Sequence, residues 1–154
     1  MRFLLTLVFL CLPTGAIASN QQQTFFGIAK RVVEGFDAKD WSAVRSATWP
    51  DGYYVQAVDH GKTLKRHWEN VPMGGVHYRT TFGRPVISVH GRRANIKVSY
   101  TVRTYYDLLE PPRACDSGIY HFDLRRRHGE WRVLNLTAAA TRSNARCRRS
   151  EENL

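Results

Sequence analysis

A histidine and an aspartate lie two residues apart in a segment with the alternating pattern of a β-strand. Apolar and polar side chains alternate through residues 118–127, which places His121 and Asp123 on one face with their Cβ atoms ~7 Å apart. A carboxylate at that spacing orients an imidazole and tunes it for proton transfer, so the pair is a candidate for general acid–base catalysis. The same pattern also fits a polar sheet face that meets solvent or a second subunit, and that alternative stays open.

Other reactive arrangements are missing from the sequence. The histidines lack the His-x-x-x-His or mixed histidine and carboxylate spacing of metal sites. There is no Gly-x-Ser-x-Gly motif, no phosphate-cradling loop and no glycine fingerprint of a dinucleotide-binding fold. We therefore predict neither a bound metal nor a cofactor.

Residues 1–18 predict a secretory signal peptide. Arg2 provides the positive start, Phe3 to Leu12 form the apolar run, and residues 16–18 fit the small-x-small cleavage rule. A membrane anchor is the alternative, but the apolar run is too short to span a bilayer. We expect an exported protein, either periplasmic or secreted.

Removal of that segment leaves a strongly basic chain with two cysteines. The net charge falls from +10 to +9 because Arg2 is lost and no acidic residue goes with it. Cys115 and Cys147 remain, and a pair of cysteines in an oxidising compartment predicts one disulfide. The length and the 43% hydrophobic content predict one domain over residues 19–142, followed by a basic polar tail over residues 143–154.

Five arginines fall in or beside two predicted turns. They are Arg92, Arg93, Arg125, Arg126 and Arg127. If the strands that flank the turns pair antiparallel, both turns lie at the same end of the sheet, and the cluster attracts anions. Nucleic acid is not expected as the partner of an exported protein despite the basic charge, so an anionic envelope lipid or polymer is favoured. A solvated end of the sheet is the alternative.

Helices are predicted in the first part of the domain. Apolar residues recur at spacings of three and four from Gln21 to Phe36, as in an amphipathic helix. Asp40 is a candidate N-cap for a short second helix. Residues 49–52 predict a turn, residues 53–58 a short strand, and residues 62–70 a third helix.

Long strands are predicted for the remainder of the domain. The pattern from His77 to His90 alternates and is interrupted at residues 83–85. A second strand runs from Ala94 to about Tyr106, and residues 109–117 form a loop. The tail over residues 143–154 is expected to be loose.

A hairpin over residues 118–137 closes the predicted sheet. Residues 127–129 form a three-residue loop, which pairs Arg126 with Glu130. That register gathers the apolar residues of both arms on one face, whereas a two-residue loop would mix the faces. Helices followed by a meander of long strands predict an α+β fold, in which helices cover one face of a curved antiparallel sheet.

Two motifs within this plan resemble the nuclear transport factor 2-like superfamily. They are Gly-x-x-x-x-x-Leu at residues 118–124 and Arg-His-Gly-Glu-Trp-Arg-Val at residues 127–133. The junction over residues 35–40 is also similar to a helix junction of that superfamily, and the resemblance covers residues 22–141. The superfamily includes ketosteroid isomerase and polyketide cyclase relatives, and the resemblance implies a cone-shaped cavity between helices and sheet.

The functional residues of the isomerase members are not matched here. The resemblance places their tyrosine near Val32, their base carboxylate near Val55 and Gln56, and their second acid near His121. No residue type agrees, so steroid isomerisation is not expected. One alternative is an enzyme of the cyclase, dehydratase or isomerase type that uses His121 and Asp123. Another is an envelope assembly protein, because an assembly factor of a secretion system shares this general fold.

Binding, rather than catalysis, is the function that the sequence favours. A curved sheet cannot contact an apolar helical lid evenly, so we expect a cavity lined mainly by aromatic side chains. Its occupant is a small apolar ligand or a partner protein, and the sheet is also a candidate homodimer surface. The predicted pocket residues are Tyr54, Trp68, Tyr100 and Phe122.

Overall fold

The computed structural model describes residues 14–57, 63–71, 75–109, 112 and 114–145. Two helices pack on one face of a curved sheet, in which seven strands are described. The elements are α1 (Thr14–Asp37), α2 (Trp41–Ala47), β1 (Thr48–Ala57), β2 (Thr63–His67), β3 (His77–Phe82), β4 (Val86–His90), β5 (Arg93–Tyr105), β6 (Ala114–Arg127) and β7 (Glu130–Ala145). The predicted α+β class is confirmed.

The sheet is mixed rather than purely antiparallel. Its strand order is β2-β1-β7-β6-β5-β3, and β4 also pairs with β5. The pairing of β1 with β7 is parallel, and the other pairs are antiparallel. The break between β3 and β4 falls at residues 83–85, where the sequence predicts an interruption.

The core lies between α1 and the inner face of the sheet. Side chains of β5 alternate between buried and exposed from Arg93 to Tyr100, so one face of the strand supplies the core. The apolar face of α1 packs against it and buries Phe25, Val32 and Val33. Burial of such side chains is the main favourable contribution to folding, about 1.5–3 kcal/mol for each large one.

The junction between the helices follows local capping rules. Asp40 caps α2, because its side chain accepts a hydrogen bond from the backbone N–H of Ala43 at 3.1 Å, as predicted. Helix α1 ends in a Schellman motif, in which the Asp40 N–H donates to the Gly35 carbonyl and the Lys39 N–H to the Phe36 carbonyl. Lys39 has a φ of 58°, the left-handed conformation that this position requires.

The predicted third helix is wrong. Residues 63–67 form β2, which pairs antiparallel with β1, and the chain then makes a single 3-10 turn over Trp68–Asn70. The helical spacing of apolar residues there is overridden because β2 satisfies the backbone hydrogen bonds of the β1 edge. The predicted turn at residues 49–52 is also wrong, since those residues lie within β1, where the register with β7 is irregular.

The loop of the hairpin is shorter than predicted. Arg127 pairs with Glu130 across a two-residue turn. The turn residues have positive φ values of 50° at His128 and 85° at Gly129, as the type I′ turn of a tight hairpin demands.

A β-bulge restores the register that the short loop would otherwise disturb. Leu124 pairs with Val133, whereas Asp123 pairs with Asn135, so Leu134 is left as the extra residue. Beyond the bulge, buried side chains of the two strands again face each other, as Phe122 and Leu136 do. The alternation in the sequence predicts that the apolar residues of both arms share one face. The bulge makes this possible with a two-residue turn.

The two long strands extend further than predicted. Strand β6 begins at Ala114, inside the predicted loop, and β7 continues to Ala145, inside the predicted tail. Residues 1–13 of the predicted signal peptide and residues 146–154 lie outside the described residues, and the predicted cleavage site falls within α1. No helix in the described part of the chain is long and apolar enough to cross a bilayer.

Candidate functional site

A cavity of about 330 Å³ opens between the end of α1 and the inner face of the sheet. Strands β1, β2, β3, β5, β6 and β7 all contribute to its lining. Part of the wall is apolar and consists of Val33, Phe36, Leu64, Val71, Val102 and Leu136. A site of this size falls at the lower end of the range for small-molecule pockets, about 300–1,000 Å³.

Tyrosines form the polar part of the inner wall. The ring of Tyr100 stacks on that of Tyr120, with centroids 3.8 Å apart and planes 16° apart. Burial raises the pKa of Tyr54 to about 12 and, together with the neighbouring Tyr54, raises that of Tyr120 well above its ordinary value. These phenols therefore stay protonated at neutral pH, and each is a hydrogen-bond donor as well as an acceptor.

A close approach between strands makes room for this stack. Tyr100 pairs with Gly118 across β5 and β6. A Cβ atom at Gly118 would lie 2.9 Å from the Tyr100 hydroxyl and would also meet the carbonyl oxygen of Ala139. Glycine is therefore needed at this position of β6.

Asp37 joins helix α1 to the sheet beside the tyrosines. Its Oδ2 accepts a hydrogen bond from the Thr80 N–H at 2.7 Å, and its Oδ1 accepts one from the Thr80 hydroxyl at 3.0 Å. Burial raises the pKa of Asp37, against the opposing effect of these two hydrogen bonds. The carboxyl group both holds β3 against α1 and lines the cavity.

Sequence reasoning missed Asp37, although a signal was present. An acidic side chain in the last turn of a helix opposes the helix dipole, and no basic residue in the last turn of α1 compensates for it. Such an unfavourable placement indicates that the carboxyl group has a tertiary partner, which is Thr80 in β3.

The remaining polar lining residues carry charge of both signs. Lys39 and Arg66 contribute the cationic groups, and Asp116 contributes a second carboxyl group. Lys39 is exposed, and an Arg66 Nη1 donates to the Asn70 carbonyl at 3.4 Å. Gln56, Tyr78 and Thr80 complete the lining.

The predicted pocket residues divide into two groups. Tyr54 and Tyr100 line the cavity. Trp68 and Phe122 are instead buried in the core, at 3% and 2% exposure. Trp68 stacks on Phe36, which does line the cavity, with ring centroids 6.2 Å apart.

His121 and Asp123 lie on the opposite, outer face of the sheet. The two residues share one strand face, as their alternation predicts. Both line a shallow groove with polar neighbours such as Asn135. His121 is exposed, whereas Asp123 is partly buried and accepts a hydrogen bond from Arg125 at 3.0 Å. Burial raises the pKa of Asp123, although hydrogen bonding with Asn135 lowers it in part. The pair therefore does not reach the cavity that contains the tyrosines.

The five predicted anion-binding arginines come together at one end of the sheet. Arg93 pairs with Arg125 across β5 and β6, and the Arg126 N–H donates to the Arg92 carbonyl at 2.9 Å. Arg127 forms an ion pair with an aspartate of β1. The antiparallel pairing of the two strands thus places both turns side by side.

The predicted disulfide stays a prediction. Cys115 lies in β6, where its partner in β7 is Ala145, and Cys147 lies outside the described residues. Among the residues that the structure describes, no three histidine, cysteine, aspartate or glutamate side chains are grouped as a metal site would need.

The sequence of this chain matches a known protein family over most of its length. The family model of the SnoaL-like domain matches residues 28–137 of this chain. The chain belongs to the SnoaL-like family. This agrees with the resemblance to the nuclear transport factor 2-like superfamily that the sequence motifs indicate.

Solved structures share the fold of this SnoaL-like domain at low sequence identity. An NTF2-like protein from Cytophaga hutchinsonii is 13% identical, with 78% of this chain and 98% of that chain covered and a TM-score of 0.61. ActVI-ORFA from Streptomyces coelicolor is 13% identical, with coverage of 79% and 98% and a TM-score of 0.61. The association domain of Caenorhabditis elegans CaMKII is 12% identical, with coverage of 79% and 96% and a TM-score of 0.60. Among curated proteins, no sequence matches this chain.

Proposed function

We propose that this SnoaL-like protein is exported and binds a small, largely apolar molecule in the cavity beside the tyrosines. The observation that carries the proposal is the combination of an apolar wall with protonated phenols at one place. The apolar wall provides binding free energy through burial, and the hydroxyls of Tyr54, Tyr100 and Tyr120 orient one polar group of the ligand. A hydroxyl or carbonyl group on a compact hydrocarbon frame fits this pattern.

The wall is arranged before any ligand arrives. Tyr100 and Tyr120 hold each other by stacking, and Asp37 is fixed by its two hydrogen bonds to Thr80. A site whose polar groups are already oriented loses less conformational entropy on binding. This favours a specific small ligand over a loosely held one.

Fluorescence titration with apolar probes tests the proposal. Trp68 stacks on Phe36, which lines the cavity, so its emission reports on occupancy. Tyr100→Ala should abolish or strongly weaken saturable binding, because it removes a wall. Tyr120→Phe removes one hydroxyl and should weaken binding of probes with a polar group by about 2- to 10-fold.

Tyr106→Ala is the matched control, because Tyr106 is 68% exposed and is not part of the cavity lining. It should bind probes as the wild type does. Absence of saturable binding by correctly folded wild type would overturn the ligand proposal and favour a partner protein as the occupant. The assembly role named for the CaMKII association domain is consistent with that second use of the fold.

Export is tested separately from binding. Cleavage after Ala18 predicts that the protein recovered from the exported fraction begins at Ser19. Recovery of a chain that begins at Met1 would indicate retention of the apolar run instead.

The enzymatic alternative also stays a prediction. It requires turnover that is lost in His121→Ala while the fold is retained. Since His121 lies on the outer face of the sheet, a substrate bound there would not compete with a probe in the cavity. That difference separates the two activities in one experiment.

A further inference from the structure

We propose that the arginine-rich end of the sheet is a docking surface for anionic membrane lipid. The arginine-rich end comprises the turn between β4 and β5, the turn between β6 and β7, and the adjacent start of β1. Its basic residues are Arg92, Arg93, Arg125, Arg126, Arg127 and Arg132, and its acidic residues are Asp51, Asp123 and Glu130. The surface therefore carries an excess of three positive charges with histidines neutral.

Three of these arginines are neutralised within the protein. Arg125 pairs with Asp123 at 3.0 Å, Arg127 with Asp51 at 2.8 Å, and Arg132 with Glu130 at 2.6 Å. These pairs account for all three carboxylates of the surface.

Trp49 holds two of the paired guanidinium groups in place. The Arg127 and Arg132 groups lie over its ring, at 5.2 Å and 5.0 Å from the centroid. The indole N–H donates to the Arg125 carbonyl at 3.0 Å. The paired arginines thus form a rigid base for the end of the sheet.

The other three arginines are available to an external anion. Arg92, Arg93 and Arg126 are exposed, and none of them forms an ion pair with another residue in the described ranges. The charge of Arg93 nevertheless acts on Asp123, since burial raises the pKa of that carboxyl group and Arg93 lowers it in part. Arg126 uses its Nε to donate to the Gly129 carbonyl at 3.3 Å, which leaves the rest of its guanidinium group free to bind. Cross-strand pairing keeps the three residues in or beside two adjacent turns. A guanidinium group can bind a phosphate group through two parallel hydrogen bonds.

The course of helix α1 identifies a lipid surface as the source of those phosphates. The ring of Phe25 contacts Trp131, which pairs with Arg126 beside the hairpin turn. Asp37, at the other end of α1, contacts β3 far from that turn. The chain therefore enters the domain at the arginine-rich end.

Residues that precede the Phe25 contact extend beyond the sheet. Residues 20–24 are all exposed, and α1 continues back to Thr14, a further rise of about 16 Å from Phe25 at 1.5 Å per residue. The apolar run Phe3 to Leu12 precedes that helix in the sequence. Whenever this run is inserted in a bilayer, as a signal peptide or an anchor, it brings the arginine-rich end toward the lipid headgroups.

Vesicle flotation of the full chain tests the proposal. Vesicles of phosphatidylcholine alone are compared with vesicles that contain about one third phosphatidylglycerol. The apolar run partitions into both kinds, so the arginine contribution appears as the ratio of the two affinities. Each cation near an anionic surface contributes about 5-fold to the affinity. The triple variant Arg92→Gln, Arg93→Gln, Arg126→Gln loses three such factors and should therefore reduce that ratio by roughly 100-fold. Replacement of all three by lysine should preserve most of it.

The matched control removes three exposed cations elsewhere. Lys65→Gln, Arg79→Gln, Arg84→Gln makes the same change in net charge, and Lys65 and Arg79 lie toward the other end of the sheet. It should leave the ratio within about 3-fold of the wild type, since exposed charges farther away than a Debye length of about 8–10 Å are screened. Equal losses in both triple variants would assign the effect to net charge and overturn the docking surface.

Two further results would also overturn the proposal. One is equal affinity of the wild type for both kinds of vesicle. The other is retention on an acidic polysaccharide column that depends on Arg92, Arg93 and Arg126 while vesicle affinity does not, which would identify a polymer as the partner. Far-ultraviolet circular dichroism confirms that each variant is folded before it is scored.

Discussion

Replacement of Gly118 by alanine should destabilise the fold and alter the cavity together. The added Cβ would meet the carbonyl oxygen of Ala139 and would lie 2.9 Å from the Cα of Ala140. It would also lie 2.9 Å from the hydroxyl of Tyr100. Two of these three contacts are with the backbone of β7, which cannot rotate away as a side chain can.

The expected magnitude follows from two opposing effects. Overpacking against fixed neighbours costs about 1–3 kcal/mol, and contacts with backbone belong to the upper part of that range. Alanine recovers about 0.5–1 kcal/mol of the unfolded-state entropy that glycine loses in a strand. We expect Gly118→Ala to lower the free energy of unfolding by about 2 kcal/mol and Tm by about 6 °C, from about 3 °C per kcal/mol for a chain of this size.

Urea and thermal unfolding provide the assay, and Gly27→Ala provides the control. Gly27 is exposed in α1, and an alanine Cβ there would meet no other segment of the described chain within 4 Å, so alanine should stabilise by up to about 1 kcal/mol. Adding Tyr100→Phe to Gly118→Ala should recover only part of the loss, because the contacts with β7 remain. Wild-type stability and wild-type probe affinity in Gly118→Ala would refute this account of the strand contact.

Three other predictions concern caps, titration and cross-linking. Lys39→Gly should raise the free energy of unfolding in urea by about 0.5–1 kcal/mol. Lys39 has a φ of 58° at the helix C′ position, a left-handed conformation that glycine adopts without the steric penalty of a Cβ atom. A lower free energy of unfolding would contradict this. Burial raises the pKa of Asp37 in the folded state above its ordinary value of 3.8. Between these two pKa values the native state holds a proton that the unfolded state has lost, so the free energy of unfolding falls as pH rises through that interval. Asn does not titrate, so the difference in free energy of unfolding between Asp37→Asn and wild type should shift in favour of the variant as pH rises through that interval. Urea unfolding of both proteins at a series of pH values measures this difference. Mass spectrometry of the protein purified under oxidising conditions should find Cys115 joined to Cys147. This disulfide would stabilise the fold by roughly 3–4 kcal/mol, and two free thiols would disprove it.

Elements set by short-range patterns were predictable from the sequence. Helix α1 follows from apolar residues at spacings of three and four, and Asp40 from the preference of carboxylates for the N-cap. Strand β5 follows from its alternation, and the break at residues 83–85 from glycine and proline. In each case the interactions that decide the structure involve neighbouring residues, so the signal lies within a few positions of the chain.

The site was predictable only in part. Tyr54 and Tyr100 follow from aromatic residues on predicted strands, and they line the cavity. Phe122 shares that pattern, and Trp68 belongs to the predicted third helix, but both are buried in the core. An alternating pattern separates two faces of a strand, but it does not say how deeply each position lies beneath the helices.

The tertiary structure alone decided the pairings between distant segments. Residues 63–67 carry a helical spacing, yet they form a strand because the edge of β1 needs a hydrogen-bonding partner. The parallel pairing of β1 with β7 joins segments far apart in sequence and leaves no local pattern. The bulge at Leu134 arises because a type I′ turn sets one register and the buried face of β6 requires another, and a single extra residue reconciles the two.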